Sequence, residues 1–243
     1  MDRLKKFLSI VILLVLSMNV MAQTSIGFRG GINVGNVSEP DIIGQILPDF
    51  QSIIGSNVAV VAEIGISDNF AFQPELAFTQ KGFKLKEGID INLFKIPLPL
   101  GVKATTKVNY VEIPLLAKVK FGNEKVQTYL TAGPVLSYAV GGRFKTQAQI
   151  LFDIPIIDQK LDLDALGYNQ FEIGASVGGG LSFNTGQGAF FVDARYTHGF
   201  TDVYDVPVVD LKLKNKGFGV NVGYLIPITS NKTSRKNSRI LYP

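Results

Sequence analysis

The feature that most constrains this chain is the rhythm of its connections: segments that alternate apolar with small or polar residues are joined by long and short stretches in strict turn. Period-two alternation is the pattern of a half-buried strand, and after Gln23 no segment holds a helical period. Thr105 to Phe121 is the clearest instance: Asn109, Val111, Ile113, Leu115, Ala117, Val119 and Phe121 share one face, and Glu112, Lys118 and Lys120 the other. The same reading predicts strands near 25–34, 58–66, 70–80, 126–139, 169–183, 189–199 and 217–227, eight in all. Ser67-Asp68-Asn69, Gly122 to Lys125 and Asn184 to Gly188 are short and rich in turn formers, whereas 35–57, 81–104, 140–168 and 200–216 are long. Short turns at one end and long loops at the other are the habit of outer-membrane barrels, and a Greek-key sandwich has no reason to keep it. The expected fold is all-β: an eight-stranded antiparallel up-and-down transmembrane β-barrel with its long segments outside the cell. A soluble periplasmic barrel is the rival.

The two faces of the strands carry the same message. Gly27, Arg29, Gly31 and Asn33, and later Glu172, Gly174, Ser176, Gly178 and Gly180, interleave small residues with isolated charges. That suits the lumen of an eight-stranded barrel, which is only wide enough for its own side chains, so a general diffusion pore is not expected. Phe70, Phe121, Phe183 and Phe190 flank the short turns, with Phe78, Tyr138 and Tyr196 towards the other end, as in the aromatic girdles of such barrels. Phe191 points inward and is expected opposite Gly180 if its turn centres on Thr185-Gly186. Pro74, Pro114 and Pro134 each remove a ladder donor, and each is expected to mark a bulge or local break.

The start of the chain reads as an export signal. Arg3, Lys5 and Lys6 precede an apolar run that begins at Phe7, and Val20 and Ala22 supply small residues before Gln23. The run is shorter than the roughly 18 residues of a spanning helix. The expected division is a signal peptide over 1–22, a barrel over 23–228 and a basic polar tail over 229–243. Without the signal, 21 basic residues face 19 acidic ones, and Lys232, Arg235, Lys236 and Arg239 of the tail account for the excess. The alkaline pI therefore carries no nucleic-acid signal. The absence of cysteine excludes disulfides, zinc–thiolate sites and thiol nucleophiles.

Five stretches taken together resemble the PorT-like outer-membrane barrels of the Bacteroidetes: GFRGGINVG (Gly27 to Gly35), VNYVEIPLLAKVKFG (Val108 to Gly122), TAGPVLSYAVGG (Thr131 to Gly142), FEIGASVGGGLSF (Phe171 to Phe183) and VDARYTHGF (Val192 to Phe200). The resemblance spans nearly the whole exported chain. It implies an outer-membrane barrel whose relatives mostly have no assigned activity, and whose namesake is associated with protein secretion across that membrane. The chain departs from common outer-membrane practice where its last strand stops near Pro227 and the basic tail follows.

Candidate chemistry lies in the lumen and the loops. Arg29, Glu63, Glu75, Glu112, Lys118, Glu172, Asp193 and Arg195 form the expected lumen charge network. Adjacent strands could bring Glu63 and Glu75 together for acid–base work, but charges in a low-dielectric barrel need opposite partners, and a structural network is the stronger expectation. His198, the sole histidine, points outward near the external rim with no serine in its YTHGF context. No enzymatic activity and no cofactor are expected. Asp158, Asp162 and Asp164 lack an EF-hand spacing, and solvated loop charges are the simpler reading. The glycine run Gly178 to Gly180 sits within a strand and is not a phosphate loop.

The loops repeat an element of aromatic, charged, β-branched, Pro and aliphatic residues: Phe94 to Leu98, Phe152 to Ile156 and Tyr204 to Val208. Phe94, Ile96, Leu98, Phe152, Ile154, Ile156, Tyr204, Val206 and Val208 form the expected loop interaction surface, with the strands continuing beyond the membrane as hairpins. Ile96, Leu98, Ile154, Ile156, Val206 and Val208 are expected in one cluster above the rim, because exposed apolar loops would invite association. The expected partners are outer-membrane lipids and a cell-surface or secretion-machinery protein. The alternative is a small hydrophobic ligand or lipid held between the loops.

Overall fold

The computed structural model describes residues 24–38, 50–93, 96–149, 153–163, 165, 167–203 and 213–228. The expected signal peptide, 1–22, and the expected tail, 229–243, lie outside them. The strands are β1 (Thr24–Ser38), β2 (Phe50–Gly65), β3 (Phe70–Leu93), β4 (Ile96–Gly122), β5 (Val126–Gln149), β6 (Asp153–Leu161), β7 (Phe171–Asn184), β8 (Ala189–Gly199) and β9 (Lys214–Pro227). Eight of them close a ring of antiparallel neighbours in the order β1, β2, β3, β4, β5, β7, β8, β9 and back to β1. β6 stands outside the ring and pairs only with the upper part of β5 among the described residues.

Each short turn is closed by its own polar residues. Asn123 Oδ1 accepts from Lys125 N and Val126 N at 3.0 and 2.9 Å, and Thr185 N donates to Gly188 O at 2.7 Å. Gly186 takes φ +84° in that last turn, a conformation that costs a residue with a side chain and glycine little. The turn places Asn184 opposite Ala189, and so Phe191 opposite Ser182, not Gly180. The expected register was off by one pleat because the turn centres one residue later than Thr185-Gly186. Phe191 instead lies across Gly223 of β9, where an added Cβ would stand 2.3 Å from the ring, and Gly180 is covered by Tyr129 of β5.

At the long-loop end the strands continue as hairpins, as their alternation led us to expect. Much of 81–104 and 140–161 is sheet: β3 and β4 remain paired up to Leu93 and Ile96, and β5 continues to Gln149 with β6 beside it. The wall is therefore tall over β3 to β6 and low at β8, which ends at Gly199. Among the described pairings, register shifts fall towards the long-loop end: between Ser52 and Asn57 of β2, at Asn109/Tyr110 of β4 and at Thr146/Gln147 of β5.

The prolines produce breaks and no bulges. Pro74 sits in a gap of the β2–β3 ladder, Pro114 in a gap of β3–β4 and Pro134 in a gap of β4–β5, with the same register on both sides of each gap. A missing N–H deletes bonds but inserts no residue, so the strands stay in step.

Outward positions form an uncharged belt from Phe28 (67 % exposed) and Val58 through Leu76, Leu130 and Val177 to Val222 (60 %). Inward positions hold the buried polar set, including Arg29, Glu75, Glu112, Lys118, Glu172, Asp193 and Arg195. Apolar outside and charged inside inverts the arrangement of a water-soluble protein, and is what a hydrocarbon surround selects.

Candidate functional site

The lumen is layered, and the layers follow from which inward positions on neighbouring strands share a level. At the short-turn end is an open-mouthed cavity of about 630 Å³. Glu63 of β2 accepts there from Lys118 Nζ at 2.7 Å and Lys120 Nζ at 3.0 Å, both of β4. Behind Lys118 stands an aromatic pair: its ammonium lies 3.9 Å from the ring centre of Tyr129 and 5.9 Å from that of Phe191. Tyr129 and Phe191 pack with Ala59, Val61, Ala77 and Leu225 into a buried apolar plug.

Beyond the plug lies a guanidinium–carboxylate knot. Glu75 Oε2 accepts from Arg29 Nε and Nη2 at 3.1 and 2.8 Å, and Glu75 Oε1 from Arg195 Nη1 at 2.8 Å and Gln73 Nε2 at 2.6 Å. Asp193 Oδ2 accepts from Arg195 Nε and Nη2 at 3.0 and 2.6 Å and from the Tyr129 hydroxyl at 3.2 Å. Arg29 Nη1 also donates to Asn57 and Asn221 at 2.7 and 2.8 Å, and Asn221 donates to Asp193 Oδ1 at 2.7 Å. The bidentate fork of arginine fits a carboxylate, which is why two arginines and two acids fill this section so completely.

A third layer is built on Lys81 of β3. Its ammonium bridges Glu112 at 2.8 Å and Glu172 at 2.7 Å. Thr79 and Ser137 hydroxyls donate to Glu112 at 2.8 and 3.1 Å, and Asn215 donates to Glu172 at 2.5 Å and to the Tyr110 hydroxyl at 3.0 Å. Small gaps of about 30 and 40 Å³, lined mostly by polar side chains, lie between this layer and the knot among the described residues. Each is large enough for no more than a few waters.

The long-loop end is closed by a cap. Leu163 and Tyr168, after β6, and Val203, after β8, pack on Val108, Tyr110 and Ala139 of the wall, with Leu161 against them. The Tyr110 and Tyr168 hydroxyls share a hydrogen bond. Backbone bonds from Tyr168 to Leu163, from Asn169 to Val203 and from Val203 to Leu213 stitch the two loops together at 3.0, 3.0 and 2.7 Å.

All eight lumen charges expected from the sequence point inward, but Glu63 and Glu75 do not form a carboxylate pair. Glu63 belongs to the lysines of the mouth and Glu75 to the arginines of the knot, so no acid–base dyad arises from them. Sequence reasoning missed Lys81, Lys120 as a partner, and the asparagines 57, 215 and 221. Lys81 shares the odd parity of Gln73, Glu75 and Thr79, a signal lost by ending the strand at Gln80.

The loop surface is only partly described. Phe94, Phe152, Tyr204, Val206 and Val208 lie outside the described residues, while Ile96 and Leu98 fall in β4 and Ile154 in β6. Ile156 is 58 % exposed on β6 and takes no part in the cap, which Leu161, Leu163, Tyr168 and Val203 build instead. The reason is topological: the described parts of the Pro-containing elements, 96–98 and 153–156, lie in β4 and β6 of the tall wall, whereas Leu163, Tyr168 and Val203, which flank β7 and β8, turn in over the lumen. Asp158 is engaged by Lys145 at 3.1 Å and Arg143 at 3.5 Å, and Asp162 accepts from Ala165 N at 3.2 Å. Among the described residues no group of acids or His198 gathers as a metal site. His198 lies between Tyr196 and Phe200 at ring separations of 6.3 and 5.7 Å, part of the aromatic girdle.

Comparison with solved structures finds proteins of low similarity. Ail of Yersinia pestis is 14 % identical over 85 % of this chain and 100 % of its own, with a TM-score of 0.38. Neisserial surface protein A is 15 % identical over 82 % and 95 % at 0.40, and OprG of Pseudomonas aeruginosa 13 % over 85 % and 94 % at 0.40. A comparison with curated protein sequences finds no match. Residues 21–205, most of the sequence, match the family model described as outer membrane protein beta-barrel domain, and the chain belongs to that family, whose place is the outer membrane of Gram-negative bacteria.

Proposed function

We propose that the protein is a closed, non-conducting barrel that holds a docking platform at the cell surface, and that its role is interaction and not catalysis or transport. The observation that carries this reading is the sealed section of the lumen, where Arg29, Glu75, Asp193 and Arg195 meet across the barrel over the Tyr129–Phe191 plug. With the passage filled, the wall that rises above it on β3 to β6 is the part with surface to offer, and Ile156 and Ile157 stand exposed there. The PorT-like motifs support a protein partner at the surface or in secretion machinery. A hydrophobic-ligand role has less support, because the described gaps beneath the cap are small and polar. Two measurements test the proposal. Reconstituted protein in planar bilayers gives no single-channel steps, and steady conductance would overturn the closed barrel. A photo-crosslinker at position 156 in intact cells gives a protein-sized adduct, whereas one at Val177 in the lipid-facing belt gives none. Equal outcomes at the two positions would overturn the platform.

A further inference from the structure

The lumen charges balance only in sum. The knot holds two cations and two acids, the Lys81 layer one cation and two acids, and the mouth two cations and one acid. Within these layers the positive excess therefore falls on the lining of the one sizeable cavity among the described pockets, which is open to solvent, while the exposed short turns around it carry Asp68, Glu124 and Lys125.

Several observations converge there. The side chain of Lys118 is 3 % exposed, so its ammonium is held in a low-dielectric wall where charge is felt strongly. Lys118 and Lys120 share the single carboxylate of Glu63, one oxygen each, and an ammonium has three hydrogens to donate. Gln127, Ser182 and Asn184 add amide and hydroxyl groups to the lining. About 630 Å³ lies inside the range of roughly 300–1,000 Å³ typical of small-molecule sites. A concave lining with two cations to one acid and low-dielectric walls focuses its field on anions.

We propose that this mouth binds a small polar solute carrying an oxyanion, a carboxylate or a phosphate, from the short-turn side, with Lys118 and Lys120 as its charge anchors. The solute supplies the second anion that Glu63 alone does not, and Gln127 and Ser182 hydrogen-bond its polar remainder. The site is independent of the surface platform: it opens at the opposite end of a sealed lumen.

The test is an amide NMR titration of the full chain, isolated from membranes into zwitterionic detergent, at constant pH and chloride. One arm uses inorganic phosphate and the other a trialanine peptide with a free C-terminus, with the C-terminally amidated peptide as control. Saturable shifts at Gln127 and Ser182 are expected with at least one anion and not with the amidated peptide, and the tighter arm identifies the class. Lys120→Gln weakens binding about tenfold, as loss of a charged hydrogen bond requires, and Glu63→Gln tightens it. Absence of saturable shifts in both arms overturns the site. So does binding that both variants leave unchanged, or binding that survives Lys120→Gln but is lost when the four tail cations become Gln.

Discussion

The two ends of the lumen make an instructive contrast. Both are lined by inward positions of the same eight strands, yet one is an open mouth lined by two cations and one acid, and the other, above the Lys81 layer of one cation and two acids, is sealed by a cap. Connection length accounts for the difference. Turns such as Gly122–Val126 and Asn184–Ala189 bend straight back into the next strand and have no residues to spare for the lumen. The long connections have that spare chain, and Leu163, Tyr168 and Val203 bring it inward over Tyr110. Between the ends, the arginine knot uncouples them, so a change at one end is not expected to alter the other.

The largest effect should come from breaking the knot itself. Arg29→Met leaves Asn57, Asn221 and one side of Glu75 without their donor, and loss of one partner from a buried ionic network costs about 3–5 kcal/mol. Urea unfolding in detergent, followed by the loss of the compact band in unheated gels, measures it. A midpoint unchanged from the parent would mean that the knot does not hold the two halves together.

A smaller and local effect is expected from Leu163→Ala. Removing a buried leucine costs about 2–5 kcal/mol where the surroundings are rigid, but here the strain is released by loosening two loops. Faster proteolysis between 161 and 170 should therefore accompany a barrel midpoint close to that of the parent. An equal fall in both would show that cap and barrel unfold as one unit and would erase the contrast.

The smallest effect is assigned to Asp158→Asn on the tall wall. Its pairs with Arg143 and Lys145 are open to solvent, where an ion pair contributes below about 1 kcal/mol. Thermal midpoints of this variant and the parent should coincide, and a shift comparable to that of Arg29→Met would contradict the assignment of stability to the lumen.

How far these differences were legible in the sequence depends on whether neighbours along the chain or across it carry them. The inward face of Glu75 and Arg195 is readable from parity, because side chains alternate along a strand whatever lies beside it. Lys81 obeys the same parity and was lost only at a misplaced strand end: its partners Glu112 and Glu172 are contributed by other strands, and nothing in 81–104 announces them. The misplacement of Phe191 by one pleat has a similar origin, since a turn shifted by one residue re-pairs the entire hairpin. The breaks at Pro74, Pro114 and Pro134 were readable as missing donors, but their freedom from bulges was not, because a bulge is a property of two strands.

By itself the sequence determined the strand faces, the alternation of short and long connections, and with them an antiparallel barrel with charges inside and an apolar belt outside. These follow from the period of the pleat and from the intolerance of hydrocarbon for charge, both of which act residue by residue. Only the tertiary structure decided which charges share a layer, that Phe191 rests on Gly223, that the cap is made by Leu163, Tyr168 and Val203, and that a positive cavity remains at one mouth. Each of these depends on the register between strands distant in sequence, set when the ring closes, and a one-dimensional pattern contains no coordinate for it.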